Sequence, residues 1–214
     1  MVRFAAVETF VGPFVLSATI VALAEMGDKT QLLALVLAAK FRRPVPIVLG
    51  ILTATLANHT LAGAVGAWIT HLVGPSTLRW AVGLSFLTMG IWTLVPDKLS
   101  ADDGKRPQFG VFGTVLAAFF IAGMGDKTQI ATVALAAQYQ SLTSVVLGTT
   151  LGMMIANVPA VILGDRLANR LPIRLVRTVA ALLFVALGAW VLVSGHDVGS
   201  SASDVVSAPA KPTP

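Results

Sequence analysis

The chain has 214 residues, of which 56% are hydrophobic and only 12% are charged, and its mean hydropathy is +0.83. A soluble domain of this size cannot bury so much apolar surface, so the composition predicts an integral membrane protein and excludes a soluble one. The chain contains no cysteine, which excludes disulfides, thiolate metal sites and cysteine nucleophiles.

Six apolar stretches follow one another along the chain, each long enough for a helical membrane span at about 20 residues per span. They cover roughly residues 10–38, 45–70, 77–95, 109–137, 142–164 and 173–194. A charged linker, residues 97–108, separates the third stretch from the fourth. Residues 195–214 are rich in Gly, Ser, Ala and Pro and predict a disordered tail. The predicted fold class is an all-α integral membrane protein with six transmembrane helices.

The basic residues that give the net charge of +5 are unevenly divided between the two sides of the predicted spans. Ten Lys and Arg residues lie in or next to loops 40–43, 97–108 and 165–177, and three lie on the opposite side. Lys29 and Lys127 lie inside predicted spans and complete the total of 15. The positive-inside rule places the three basic loops in the cytoplasm and both termini outside. The basic residues therefore indicate membrane topology, and nucleic acid is not an expected partner.

The second half of the chain repeats the first at a shift of 98 residues. Residues 23–41 and 121–139 are identical at ten of nineteen positions. The third span of each half repeats as well, with Arg79 and Trp92 recurring as Arg177 and Trp190. Each unit, 1–96 or 109–194, holds three spans, and this odd number makes the second unit enter the membrane from the opposite face. The expectation is two inverted three-helix repeats, an arrangement typical of secondary transporters.

Each repeat carries an acid–base motif inside an apolar stretch. Residues 25–30 read Glu-Met-Gly-Asp-Lys-Thr, and residues 123–128 read Gly-Met-Gly-Asp-Lys-Thr. Ionisable residues within a span are costly and mark function by default. The candidate cation ligands are the carboxylates of Glu25, Asp28 and Asp126. The supporting oxygen donors are Thr30, Gln31, Thr128 and Gln129, and the internal counter-charges are Lys29 and Lys127.

The local geometry of the motif allows two interpretations. On a continuous helix, Glu25, Asp28 and Gln31 would lie on one face. Gly27 and Gly125 weaken a helix, and an opening there would bare carbonyl oxygens beside the carboxylates. Hard oxygen donors of this kind suit Mg²⁺, Ca²⁺ or Mn²⁺. Desolvated carboxylates can also take up protons when the cation leaves, and this competition predicts an antiporter.

The two motifs differ at one important position, where Gly123 stands in place of Glu25. Three carboxylates against two ammonium groups leave the site at −1, and a divalent cation brings it to +1. A glutamate at position 123 would change these values to −2 and zero, so the glycine predicts weaker divalent binding or fewer exchanged protons. In the alternative interpretation, the lysines only hold the spans together.

Two asparagines occupy matching places on the second span of each half, and two interpretations of them stay open. Asn58 and Asn157 either line the site or form interhelical hydrogen bonds.

The paired motifs resemble the E-x-G-D-[KR]-[TS] signature of the Golgi-type manganese/calcium cation–proton antiporter family, over roughly residues 8–194. The resemblance implies export of Mn²⁺ or Ca²⁺ in exchange for protons, with the cation as transported substrate and no permanently bound cofactor. It implies metal-binding carboxylates at Glu25, Asp28 and Asp126, and Gly123 departs from the family pattern. The chain looks like a bacterial member, expected in the inner membrane. The expected partners are divalent cations, protons and the lipid bilayer, and a homodimer stays open.

Two other functions share some of these features. A six-span exporter of a small cationic solute would have the same architecture. The residues Gly123-Met124-Gly125-Asp126 also match the G-x-G-D motif of intramembrane aspartyl proteases, with Asp28 as the second aspartate. However, Lys and Thr follow both aspartates identically, and the chain lacks the Tyr-Asp and Pro-Ala-Leu segments of those proteases. The sequence therefore predicts a transporter and no enzymatic activity.

Overall fold

The computed structural model describes residues 2–95, 110–163 and 173–194. In these ranges the chain is helical, and strands do not occur. The helices are α1 (Val2–Glu25), α2 (Lys29–Phe41), α3 (Pro44–Leu72), α4 (Pro75–Leu94), α5 (Gly110–Gly123), α6 (Lys127–Tyr139), α7 (Leu142–Leu163) and α8 (Ile173–Val193). The predicted linker 97–108, most of loop 165–177 and the predicted tail 195–214 lie outside the described residues.

Three uninterrupted helices, α3, α7 and α8, are long and apolar enough to cross a membrane. Two further candidates are bent pairs, α1 with α2 at 69° and α5 with α6 at 68°. The described part of the chain thus holds three candidate spans, or up to five if each bent pair is one span. The remaining helix, α4, is not among them, because Pro75, Arg79 and their polar neighbours lower the hydropathy of its first turns. The all-helical class is confirmed, and a sixth span through α4 remains a prediction.

Both bends occur inside the repeated motifs. Gly27 and Gly125 have φ values of 76° and 71°, a left-handed conformation that costs glycine little. The next residues, Asp28 and Asp126, are extended and stand at the N-cap positions of α2 and α6, where aspartate is among the preferred residues. The continuous-helix interpretation of the motif is therefore wrong, and the glycines open each helix as the other interpretation expected.

Several helix contacts recur when the two halves are exchanged, although those of α4 with α6 and of α1 with α8 have no counterpart of similar extent. Helix α1 packs on α7 as α5 packs on α3, and α3 packs on α6 as α7 packs on α2. A Cβ added at Gly50 would lie 3.0 Å from the carbonyl oxygen of Phe112, and one added at Gly148 would lie 2.5 Å from that of Phe14. These two contacts are equivalent at the 98-residue shift. Glycine at each crossing therefore allows the same close helix approach in both halves.

Two helices pack directly on their own equivalents, α4 on α8 and α3 on α7. At the first of these contacts the equivalent rings of Phe86 and Phe184 stack with their centroids 6.3 Å apart, and both side chains are fully buried. Such self-paired contacts are expected along an axis that relates two similar halves. The breaks of the two bent segments meet in the interior, where Asp28 and Asp126 are buried.

Candidate cation site

Three buried carboxylates from the two motifs come together where the bent segments meet. Glu25 is the last residue of α1, and Asp28 and Asp126 precede α2 and α6. One carboxylate oxygen from each lies within 4.8 Å of the other two, and the residues are only 0%, 2% and 2% exposed. Oxygens that bind one cation at about 2.3–2.6 Å can lie up to about 5 Å apart. The cluster therefore has the size and the donor type of a site for one hard divalent cation.

The helix breaks fix both aspartates at the start of a half-helix. The backbone N–H of Asp28 donates to the Glu25 carbonyl at 3.0 Å, and that of Asp126 donates to the Gly123 carbonyl at 3.3 Å. The Asp28 carboxylate also accepts from the backbone N–H of Lys29 at 2.7 Å. Helix N-termini carry partial positive charge, which stabilises an ionised carboxylate there. Each break thus places one aspartate and a favourable backbone field at the site.

The two lysines lie beside the aspartates of the opposite half. Lys29 Nζ is 3.6 Å from Asp126 Oδ1, and Lys127 Nζ is 3.6 Å from Asp28 Oδ2. One buried ammonium group, on Lys127, and one partly exposed group, on Lys29, thus partly balance three buried carboxylates, in an environment where unpaired charge is strongly unfavourable. The crossed pairs also join the halves, so the balancing and the structural interpretations of the lysines are compatible.

The two glutamines hold the bends. Gln31 Oε1 accepts from the backbone N–H of Gly27 at 2.7 Å, and Gln129 Oε1 accepts from that of Gly125 at 2.6 Å. The amide nitrogen of Gln31 also donates to the carbonyl of Ala156 on α7 at 2.9 Å. These contacts give both glutamines a positioning role at the bends, and each side-chain carbonyl oxygen keeps a second lone pair, so the oxygen-donor role stays a prediction.

The two threonines differ in their contacts. Thr128 Oγ1 lies 3.5 Å from Asp126 Oδ2, at the limit of a hydrogen bond. Thr30 is fully buried, and its hydroxyl has no hydrogen-bond partner within the described ranges.

Both asparagines are buried at the level of the motifs. Asn58 donates from Nδ2 to the carbonyl of Phe120 at 3.0 Å, whereas Asn157 donates to the carbonyl of Met153 in its own helix at 3.0 Å. Within the described ranges neither Oδ1 has a hydrogen-bond partner, and neither carboxylate oxygen of Glu25 has one. Buried polar atoms without partners are rare and call for an explanation. A bound cation or proton supplies one.

One side of the site is covered by residues that the motif pattern did not identify. Arg177 of α8 donates from Nη2 to the carbonyl oxygen of the buried Gly27. The ring of Trp92 lies 5.9 Å from the ammonium group of Lys127, which is 4% exposed. The recurrence of arginine and tryptophan in both repeats was the sequence signal that could have identified them.

The other side of the site is bordered by exposed residues. Met124 is 59% exposed, and Gly125 is exposed as well. The side chain of Lys29, which pairs with Asp126, is 31% exposed. The Asp28 side of the cluster is thus covered, while residues next to the buried Asp126 reach the protein surface.

An apolar helical chain with carboxylates at two broken helices belongs to the class of membrane ion transporters. The family model described as "Divalent cation/proton antiporter GDT1" matches residues 13–101 and 111–198. The chain belongs to this family of transporters, and it is therefore not an enzyme. The predicted resemblance is confirmed.

Two relatives agree with the family match. A protein of Vibrio cholerae named "Putative manganese exporter" is 49% identical over 80% of this chain and 86% of its own length. "GDT1-like protein 3" of Oryza sativa subsp. indica is 31% identical over 79% of this chain and 69% of its own length. No solved structure matches the chain significantly. The aspartyl-protease alternative receives no support from these matches.

Proposed function

We propose that the protein exports Mn²⁺ from the cytosol in exchange for protons through the cluster of Glu25, Asp28 and Asp126. The observation that carries this proposal is the convergence of three buried carboxylates from two helix breaks. The Vibrio cholerae relative, named for manganese export, supports Mn²⁺ as the substrate. The oxygen donors suit Ca²⁺ equally well, which makes it the second candidate substrate. The close spacing of the oxygens suits a bare ion better than an organic cation.

Competition for the same oxygens couples the two fluxes. With the carboxylates ionised, the cluster and its two lysines carry −1, and Mn²⁺ brings the total to +1. Protons that bind the same carboxylates neutralise them and displace the cation. Because cation and protons cannot occupy these oxygens together, each passage of Mn²⁺ in one direction requires the return of protons in the other.

Inverted repeats supply the alternating access that such exchange needs. In the proposed topology six helices, with α4 as the third span, cross a bacterial inner membrane and leave both termini outside. The helix contacts that recur in both halves support two related units. Non-helical backbone is tolerated at membrane depth only in protein or beside water, so the exposed bend at Gly125 favours a water-filled entrance there. The bilayer is the expected environment, and a homodimer stays a prediction.

Proton flux in everted membrane vesicles tests the exchange directly. With an imposed pH gradient, added Mn²⁺ should release protons from vesicles that contain the protein. Asp28→Asn and Asp126→Asn should each abolish this flux. Thr53→Ala, an exposed change on α3, should leave it intact. The absence of any Mn²⁺- or Ca²⁺-dependent proton flux in correctly inserted protein would overturn the proposal.

A further inference from the structure

Asn58 occupies the space in which a side chain at position 123 would begin. A Cβ built on Gly123 would lie 2.6 Å from Asn58 Nδ2 and 3.6 Å from Asn58 Cγ. Gly123 is equivalent to Glu25, whose side chain contributes to the carboxylate cluster. The amide of Asn58, which comes from a different helix, therefore lies where the Cβ of a second glutamate at position 123 would be.

The two equivalent asparagines have different anchors. Asn157 donates to the carbonyl of Met153, four residues earlier in its own helix. The first motif has a glutamate, Glu25, where the second has Gly123. Asn58 instead donates across to the carbonyl of Phe120 on α5. This hydrogen bond fixes the amide against the end of α5 and leaves its Oδ1 buried without a hydrogen-bond partner among the described residues.

We infer that Asn58 replaces the missing glutamate as a neutral oxygen ligand of the transported cation. This inference rests on the proposed function. Its Oδ1 offers the hard carbonyl donor that Mn²⁺ and Ca²⁺ accept, without the negative charge of a carboxylate. The site keeps a fourth side-chain oxygen but has one carboxylate fewer to protonate. Asn58 thereby sets both cation affinity and the number of protons exchanged.

The geometry couples positions 58 and 123. Gly123→Glu alone meets the Asn58 amide and cannot place its carboxylate without moving Asn58. Shortening Asn58 removes that obstacle, so Asn58→Ala combined with Gly123→Glu should rebuild a carboxylate from the α5 side. Two residues that compete for one space should show strongly non-additive effects.

A double-mutant cycle on the purified full-length protein tests this coupling. Mn²⁺ affinity is read from the loss of the free-Mn²⁺ electron paramagnetic resonance signal, and Mn²⁺-induced stabilisation is read from the rise in Tm. Asn58→Ala removes a neutral oxygen and no charge, so it should weaken Mn²⁺ binding by about tenfold, less than the loss of a charged ligand. Gly123→Glu should weaken it by a similar factor, against the charge count alone, because the new side chain displaces Asn58. The double variant should recover at least the parent affinity. Thr53→Ala on the exposed face of α3 serves as the control.

The outcomes separate this inference from the proposed function. If the parent protein does not bind or exchange Mn²⁺, the proposed function fails. If the parent binds Mn²⁺ and Asn58→Ala binds it equally well, only the role of Asn58 fails. If both single losses simply multiply in the double variant, the coupling is refuted. Should the double variant not fold, Asn58→Asp decides: it keeps the side-chain length, gives up the hydrogen bond to Phe120 and adds a carboxylate, so it should release more protons per bound Mn²⁺. An unchanged proton release would overturn the role of Asn58.

Discussion

The two motifs share a backbone and differ in their surroundings. Their bends are 69° and 68°, and each is held by a glutamine that accepts from the glycine N–H at 2.7 Å or 2.6 Å. The first bend is buried under Arg177 and carries Glu25, whereas the second is exposed and carries Gly123. The residues that shape the bend are the same in both copies, while charge and access differ. The two copies thus have the same backbone bend but differ in charge and in exposure.

Among the differences between the two motifs, the largest effect is expected when the carboxylate that only one motif carries is removed. Glu25→Gln keeps the shape but reduces the cluster to two carboxylates against two lysines, so a divalent cation no longer meets net negative charge. Mn²⁺/proton exchange should fall by about 100-fold or more, as for loss of a direct ligand and beyond the 10–100-fold of outer-shell changes. Vesicle proton flux measures this loss, with the exposed Thr19→Ala on α1 as control. Flux near the parent level would show that the two motifs need no third carboxylate.

A smaller loss of stability, similar for the two motifs, is expected when their glycines are replaced. Gly27→Ala and Gly125→Ala each force an alanine into the left-handed region, which costs about 1–2 kcal/mol. The added methyl group at Gly125 meets no atom within 4 Å, so backbone strain alone acts there. Gly74→Ala is the matched control, since that site is equally open and its φ is −66°. Thermal unfolding in detergent measures the change. Equal stability of Gly74→Ala and Gly125→Ala would contradict the strain argument.

The difference in access between the two bends should be visible by cysteine labelling. The chain has no cysteine, so Met26→Cys and Met124→Cys each introduce a single reactive thiol. A water-soluble thiol reagent should modify position 124 several-fold faster, because Met124 is 59% exposed and Met26 lies beside the covered bend.

Arg177→Ala should reduce the difference in labelling rate between positions 26 and 124. Removing its hydrogen bond to the Gly27 carbonyl uncovers the first bend, so labelling at Met26→Cys should rise. Arg79→Ala, at the equivalent position of α4, is the control. If both arginine variants change labelling at position 26 equally, Arg177 does not act as the cover of this side.

Several features were predictable because they depend on local pattern. The repeat shift of 98 residues, the helical class and the meeting of Glu25, Asp28 and Asp126 follow from hydrophobicity, duplication and the cost of charge in a membrane. The lysine–aspartate ion pairs between the two halves were predictable only in part. Counter-charges were expected, but the choice of partner from the opposite half depends on how the two bent segments face each other.

The sequence by itself determined the class, the family and the three carboxylates, because composition, periodicity and a repeated motif carry that information within short windows. Only the tertiary structure decided that the helices break within the motif, that the glutamines hold the bends and that Arg177 covers one of them. It also showed that the Asn58 amide lies where the Cβ of a glutamate at position 123 would be. These facts concern atoms from different helices, separated by up to 150 residues, and packing alone brings them together.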